Sequence, residues 1–149
     1  MNLVAELKPG LTGLEQLQSM IAMGGRAPIG ETLDFTLVEA GHGFAAFEGV
    51  PGLHAYNPIG TVHGGYAATL LDSACGCATH SRLNPGQGYT TLELKIAYHK
   101  AITEKTGLIR AEGHVITIGR RAAFAEATLK DTNGVLYASA TSTLLVFER

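Results

Sequence analysis

Between Gly64 and Leu83 runs the one long stretch of this chain without a strand-like β-branched pattern, and its alanines, leucines and cysteines surround a helix almost entirely. A helix that is apolar on every side has to be buried. It is also thin: Ala67, Ala68, Ala74, Gly76 and Ala78 let a sheet or another helix approach its backbone closely. Asn84, Pro85 and Gly86 supply the stop. The rest of the chain must therefore cover this one helix.

The flanking segments are suited to that task. From Leu14 to Met23, Leu14, Leu17, Met20 and Ile21 recur at three- and four-residue spacing, which predicts a short amphipathic helix ended by Gly24, Gly25 and Pro28. Residues 1–30 thus read as an N-terminal helix and linker. Asp34 to Ala40 and Gly43 to Val50 are short β-prone runs around Gly41 and His42, closed by Pro51 and Gly52. Leu53 to Val62, with Asn57, Pro58 and Gly60, reads as a loop. After the helix come four strand candidates, Tyr89 to Lys100, Thr106 to Ile118, Arg120 to Lys130 and Val135 to Val146. The last two are joined through Asp131, Thr132, Asn133 and Gly134, where the Asn-Gly pair suits a tight hairpin turn. Strands and helix segregated in this order indicate an α+β domain in which an antiparallel sheet covers a single helix.

At 149 residues, 46% of them hydrophobic and 16% charged, the chain has the length and apolar content of one domain spanning 1–149. A formal charge of -2 argues against general nucleic-acid affinity, which needs many cationic contacts with phosphates. Charge is uneven, however: seven of the eleven basic residues lie between Arg82 and Arg121, against Glu93, Glu104 and Glu112. The two cysteines, Cys75 and Cys77, project to different sides of one helix, so neither a disulfide framework nor a metal site is expected. No basic stretch followed by an apolar signal region opens the sequence and no apolar run reaches the length and purity of a membrane span, so the expectation is a cytoplasmic protein without a membrane partner.

Chemistry concentrates between Asn57 and Asp72. Gly64 and Gly65 open the buried helix, where backbone N–H groups lack intrahelical partners and the dipole is positive. With no side chains in the way, a substrate carbonyl can reach those donors, the arrangement that stabilises an oxyanion. Asn57 offers a side-chain donor, or a holder for water, beside them. Asp72 lies about two turns into the same helix, where a carboxylate is costly unless it is hydrogen-bonded or has a task. Its alternatives are a structural bond to a neighbouring backbone group and a catalytic role. Eight residues separate Gly64 from Asp72, roughly 12 Å along the axis at about 1.5 Å per residue. An oxyanion donor and an attacking group must each lie about 3 Å from the reacting centre. If both are catalytic, one helix cannot supply both, and the site combines two copies related by a two-fold axis.

The pattern Asn-x5-His-Gly-Gly-x6-Asp, here Asn57, His63, Gly64, Gly65 and Asp72, resembles that of the hot-dog-fold thioesterases, in particular the branch with the phenylacetate-pathway thioesterases and the human thioesterase-superfamily acyl-CoA hydrolases. The strand around Thr91 to Lys95, the turn at Gly119, Arg120 and Arg121 and the hairpin from Asp131 to Gly134 extend the resemblance over nearly the whole chain. It implies a long helix wrapped by a curved antiparallel sheet of five to six strands, homodimers with a continuous sheet and shared active sites, and pairing of dimers into tetramers. It implies an acyl-CoA substrate and no cofactor beyond the coenzyme A that the substrate carries. The Gly64 amide would polarise the thioester carbonyl with Asn57 close by. Asp72 would act as general base on water, or as a nucleophile. Thr91, or Thr90 beside it, would help hold the water, and His63 would shape the glycine turn.

Other residues carry weaker signals. Arg120 and Arg121, with Lys95, Lys100 or Lys105, are candidates for the CoA phosphates, against the alternative of a solvated turn. Tyr66 and the small residues after it are candidates for the acyl pocket, or simply packing. His80, near the helix C-terminus, is explained as a cation interacting with the dipole. Two rivals to hydrolysis are a hydratase or dehydratase of the same fold, which would pair a histidine with a carboxylate, and a module that holds acyl-CoA without turnover.

Overall fold

The computed structural model describes residues 8–149. Helix α3, Gly64–His80, is the buried helix, and the six strands β1 (Phe35–Gly41), β2 (Phe44–Gly49), β3 (Gln87–Tyr98), β4 (Ile109–Ile118), β5 (Ala122–Asp131) and β6 (Leu136–Glu148) form one antiparallel sheet in the order β1-β2-β4-β5-β6-β3. The sheet covers α3, which packs against every strand. This α+β arrangement is the hot-dog fold that the resemblance implies.

Small residues set the helix-to-sheet distance. On β5 the inward positions are Ala123, Ala125 and Ala127, all buried, and they alternate with exposed Phe124 and Glu126. At Gly113 of β4 a Cβ would run into the Ala74 carbonyl, so glycine is required where strand and helix backbone touch. Leu70, Leu71, Leu129 and Leu144, each fully buried, fill the space beside these contacts.

The helix ends three residues earlier than expected. Ser81 caps it, its hydroxyl donating to the Ala78 carbonyl at 2.7 Å and accepting the Gly43 N–H of the β1–β2 turn at 2.8 Å. A tertiary contact with the sheet thus competes with another half-turn of helix. Between β5 and β6, Gly134 alone adopts a left-handed conformation (φ 79°), and its N–H bonds the Asp131 carbonyl at 3.0 Å. The turn is therefore a four-residue one closed by glycine rather than a two-residue Asn-Gly turn.

N-terminal to the sheet lie two helices, α1 (Gly13–Ala22) and α2 (Pro28–Leu33), where a single helix and linker were expected. Pro28 starts α2 instead of only ending what precedes it, because proline at the first helical position gives up an N–H that has no partner there. Thr12 and Glu15 form a reciprocal capping box on α1.

Strands β1 and β3 are the sheet edges. β3 is 12 residues long, pairs among the described residues only with β6, and is interrupted between Thr91 and Glu93 by a bulge that leaves Leu92 61% exposed. A long unpaired edge of this kind is a template for pairing with another strand. Among the described residues no helix is long and apolar enough to cross a membrane.

Candidate active site

His63 determines what the N-terminus of α3 offers. It is the N-cap, with Nδ1 accepting the Gly65 N–H at 2.8 Å and its carbonyl accepting the Tyr66 N–H at 2.9 Å. The Gly64 N–H makes no hydrogen bond to another described residue. With the His63 N–H accepted by the Ala55 carbonyl at 2.7 Å, three of the four orphan donors are satisfied and that of Gly64 is left. A ring nitrogen that accepts in this way carries its proton on Nε2, so His63 serves the turn. Gly64 is itself covered by Tyr98, whose hydroxyl donates to the Gly64 carbonyl at 2.8 Å; a Cβ there would stand 3.0 Å from the ring. A cleft of about 490 Å³ opens in front of this turn, with Asn57, His63, Gly64, Tyr98, Lys100 and Ile102 among its walls.

Asn57 sits in that cleft, but its side chain is largely engaged in its own loop. Oδ1 accepts the N–H groups of Ile59 (3.0 Å) and Thr61 (3.3 Å), and Nδ2 donates to Thr61 Oγ1 at 2.9 Å. One amide hydrogen remains beside Gly64. Asn57 thus builds the loop that precedes the glycines and keeps one donor in the cleft.

Asp72 occupies a different place. Thr91 Oγ1, on β3, donates to Asp72 Oδ1 at 3.1 Å, whereas Thr90 is exposed and pairs with Leu145 on the outward side of the strand. Carboxylate and hydroxyl open into a cavity of about 200 Å³ whose other walls include Tyr89, Phe47, Leu37 and Met20. Cys77 lies in the same wall. Burial first, and the Asp72 charge second, push its thiol up to about 12, so it stays protonated at neutral pH and is no nucleophile. Burial likewise raises the Tyr89 phenol, which remains neutral.

Within one chain, then, Gly64 and Asp72 face separate cavities, in agreement with their spacing along the helix. Tyr66 joins neither: it is 3% exposed and turns into the core above Gly49, where burial pushes its phenol up to about 12. Packing, not the acyl pocket, accounts for it. Gly65 lines the Gly64 cleft, its N–H already capped.

The cationic segment resolves into unlike parts. Arg110 is held by Glu39, Glu48 and Glu112 on the outer face of the sheet and is not available to an anion. Arg120 and Arg121 are exposed in the β4–β5 turn and line neither cavity. Lys100 is the basic residue in the wall of the Gly64 cleft, with its ammonium 5.4 Å from the Tyr137 ring centroid. His80 is not a surface cation: it is 5% exposed, bonds Gln16 of α1 at 2.7 Å, and burial, with Arg149 adding to it, lowers its pKa to about 4. The ring is neutral, and the dipole explanation is overturned by desolvation. Among the described residues no group of three or more histidines, cysteines or carboxylates gathers to hold a metal.

Tyr98 and the N-terminal wall of the Asp72 cavity were not foreseen from the sequence. The alternation Leu94, Ile96, Tyr98 puts the tyrosine on the helix-facing side of β3, but nothing local says that it ends on Gly64.

Residues 59–138, more than half of the chain, match the sequence profile of the thioesterase superfamily. Comparison with curated proteins gives no match. Among solved structures, a conserved protein of Pseudomonas aeruginosa is 28% identical and superposes with a TM-score of 0.76 over 82% of this chain and 95% of its own. A thioesterase family protein of Silicibacter pomeroyi (22% identity, TM-score 0.79, 92% and 99% covered) and a phenylacetic acid degradation-related protein of Ralstonia eutropha (23%, 0.76, 87% and 98%) share the fold. With the profile match spanning α3 and its glycine turn, the chain belongs to the thioesterase superfamily.

Proposed function

We propose that the protein hydrolyses acyl-CoA thioesters to the free acid and CoA, in sites that each combine the Gly64 turn of one chain with Asp72 of a second. The observation that carries this reading is the division of labour along α3: an oxyanion donor at its N-terminus and a hydroxyl-bonded carboxylate two turns on, opening into different cavities. The long edge of β3 supports the dimer, since pairing two such edges would continue the sheet and place two α3 helices side by side.

In that site the carbonyl oxygen of the thioester accepts from the Gly64 N–H. Asp72, steadied by Thr91, takes a proton from water as the water oxygen bonds to the carbonyl carbon. The tetrahedral oxyanion forms against the Gly64 donor in a place partly screened from solvent. Its collapse breaks the C–S bond, and the CoA thiolate leaves with the proton that Asp72 held. Lys100, and Arg120 or Arg121 across the interface, are the candidates for the CoA phosphates. His63, committed to the Gly65 N–H, is poorly placed for the proton chemistry of a hydratase.

Free-thiol release across a panel of acyl-CoAs tests the proposal. Asp72→Asn is expected to keep the fold and lose at least about 100-fold in kcat, the scale of general-base catalysis. Full activity of that variant would remove Asp72 from the reaction, and a panel without any thiol release would leave a binding module.

A further inference from the structure

Resting on the hydrolase reading above, we infer that Met20 and the half-exposed Ile29, which line the chamber beside Asp72, stand in the path of a long acyl group and make the substrates compact acyl-CoAs rather than long-chain ones. The chamber is built from two sources. Asp72, Thr91 and Tyr89 belong to α3 and β3, inside the stretch that matches the superfamily; Met20 and Ile29 belong to α1 and α2, outside it. Asp72 and its hydroxyl partner thus come from the profile-matched segment, and the wall facing the acyl group comes from the helices that precede it.

That wall is held in place. The Gly13 N–H donates to the Leu83 carbonyl at 3.0 Å, Gln16 meets His80 at 2.7 Å, and Leu17 is 3% exposed, so α1 is docked on the C-terminal end of α3. Arg26 pairs with Asp34 at 3.1 Å across α2, and Asp34 carries the left-handed conformation (φ 55°) that turns the chain from α2 into β1. Phe35 and Phe47, in tilted contact at 5.8 Å between ring centroids, back the chamber from the sheet.

Its volume, about 200 Å³, compares with the roughly 150 Å³ of an apolar cavity that takes benzene. A ring with one or two further carbons is close to this size, whereas a long acyl chain reaches Met20 and Ile29. Longer chains must displace them. Each methylene that fails to fit a hydrophobic pocket changes kcat/KM by about 10-fold or more.

The test is the ratio of kcat/KM for dodecanoyl-CoA to that for butyryl-CoA, measured in wild type, the double variant Met20→Ala with Ile29→Ala, and Met20→Trp. Wild type is expected to favour butyryl-CoA; the double alanine variant should raise the ratio at least about 10-fold, and Met20→Trp should move the cut-off to shorter chains, read as a loss on octanoyl-CoA relative to butyryl-CoA. Opposite shifts in the two variants cannot come from poor folding. Thiol release with one chain-length profile in all three proteins overturns the inference alone. Absence of thiol release from wild type with every acyl-CoA removes the hydrolase reading and this inference with it.

Discussion

Replacing Gly64 by proline deletes one hydrogen-bond donor at a position where proline is otherwise welcome. Gly64 is the first residue of α3, and its N–H makes no hydrogen bond to another described residue, so neither helix geometry nor a protein hydrogen bond is lost. The ring does bring a Cβ to about the place where glycine leaves 3.0 Å to Tyr98, but Tyr98 is 56% exposed and can yield. Gly64→Ala is the matched control, since it adds the same Cβ and keeps the N–H. If this N–H stabilises the oxyanion, its loss costs on the order of 3 kcal/mol in the transition state, a fall in kcat of about 100- to 1000-fold. Steric displacement of Tyr98 alone should cost both variants alike. The assay is steady-state thiol release with the best acyl-CoA of the panel, accompanied by thermal melts. A Gly64→Pro protein that melts like Gly64→Ala and turns over at the same rate would refute the assignment of the Gly64 amide.

Three further predictions follow from other residues. Thr91→Val removes the hydroxyl that bonds Asp72 among the described residues and is expected to lower kcat by about 5-fold, the worth of roughly 1 kcal/mol, while Thr91→Ser restores it; Thr90→Val should change nothing. His80 has a folded pKa of about 4 against 6.5 unfolded, so above pH 6.5 it contributes no pH dependence. As pH falls from 6.5 to 4 the unfolded chain binds a proton that the folded one refuses, and stability drops by about 3 kcal/mol. Denaturant titrations at pH 7 and pH 4.5 should show this loss in wild type and a smaller one in His80→Gln; equal losses would mean that the ring is not held neutral. Reversing charge at Arg120 and Arg121 together is expected to raise KM for CoA esters several-fold with kcat nearly unchanged, and an unaltered KM would leave both arginines as a solvated turn.

How much of this was legible in the sequence depended on whether the determinant was local. The buried helix announced itself because its small and apolar residues leave no polar side, and the six strand candidates overlap the six strands, where inward residues such as Ala123, Ala125 and Ala127 alternate with Phe124 and Glu126. The separation of Gly64 from Asp72 was legible too, because helical rise is a constant. What escaped was set by contacts distant in sequence. α2 is six residues long and contains a glycine, too short for periodicity to register. His80 reads as a cation at the helix end until α1 is seen to cover it, and the ion cluster of Arg110 forms only when three strands bring carboxylates around it. Tyr98 reaches Gly64, and Met20 reaches the neighbourhood of Asp72, only after the sheet has closed on the helix.

Mixing two inactive proteins tests the shared site most directly. Gly64→Pro lacks the donor and keeps Asp72; Asp72→Asn keeps the donor and lacks the carboxylate. Denatured together in equal amounts and refolded, they form hybrids in which one site joins an intact Gly64 to an intact Asp72 and the other carries both lesions. With random pairing half of the dimers are hybrids, each with one working site, and activity should recover to about a quarter of wild type. A mixture no more active than the sum of its two components would contradict a site built from two chains.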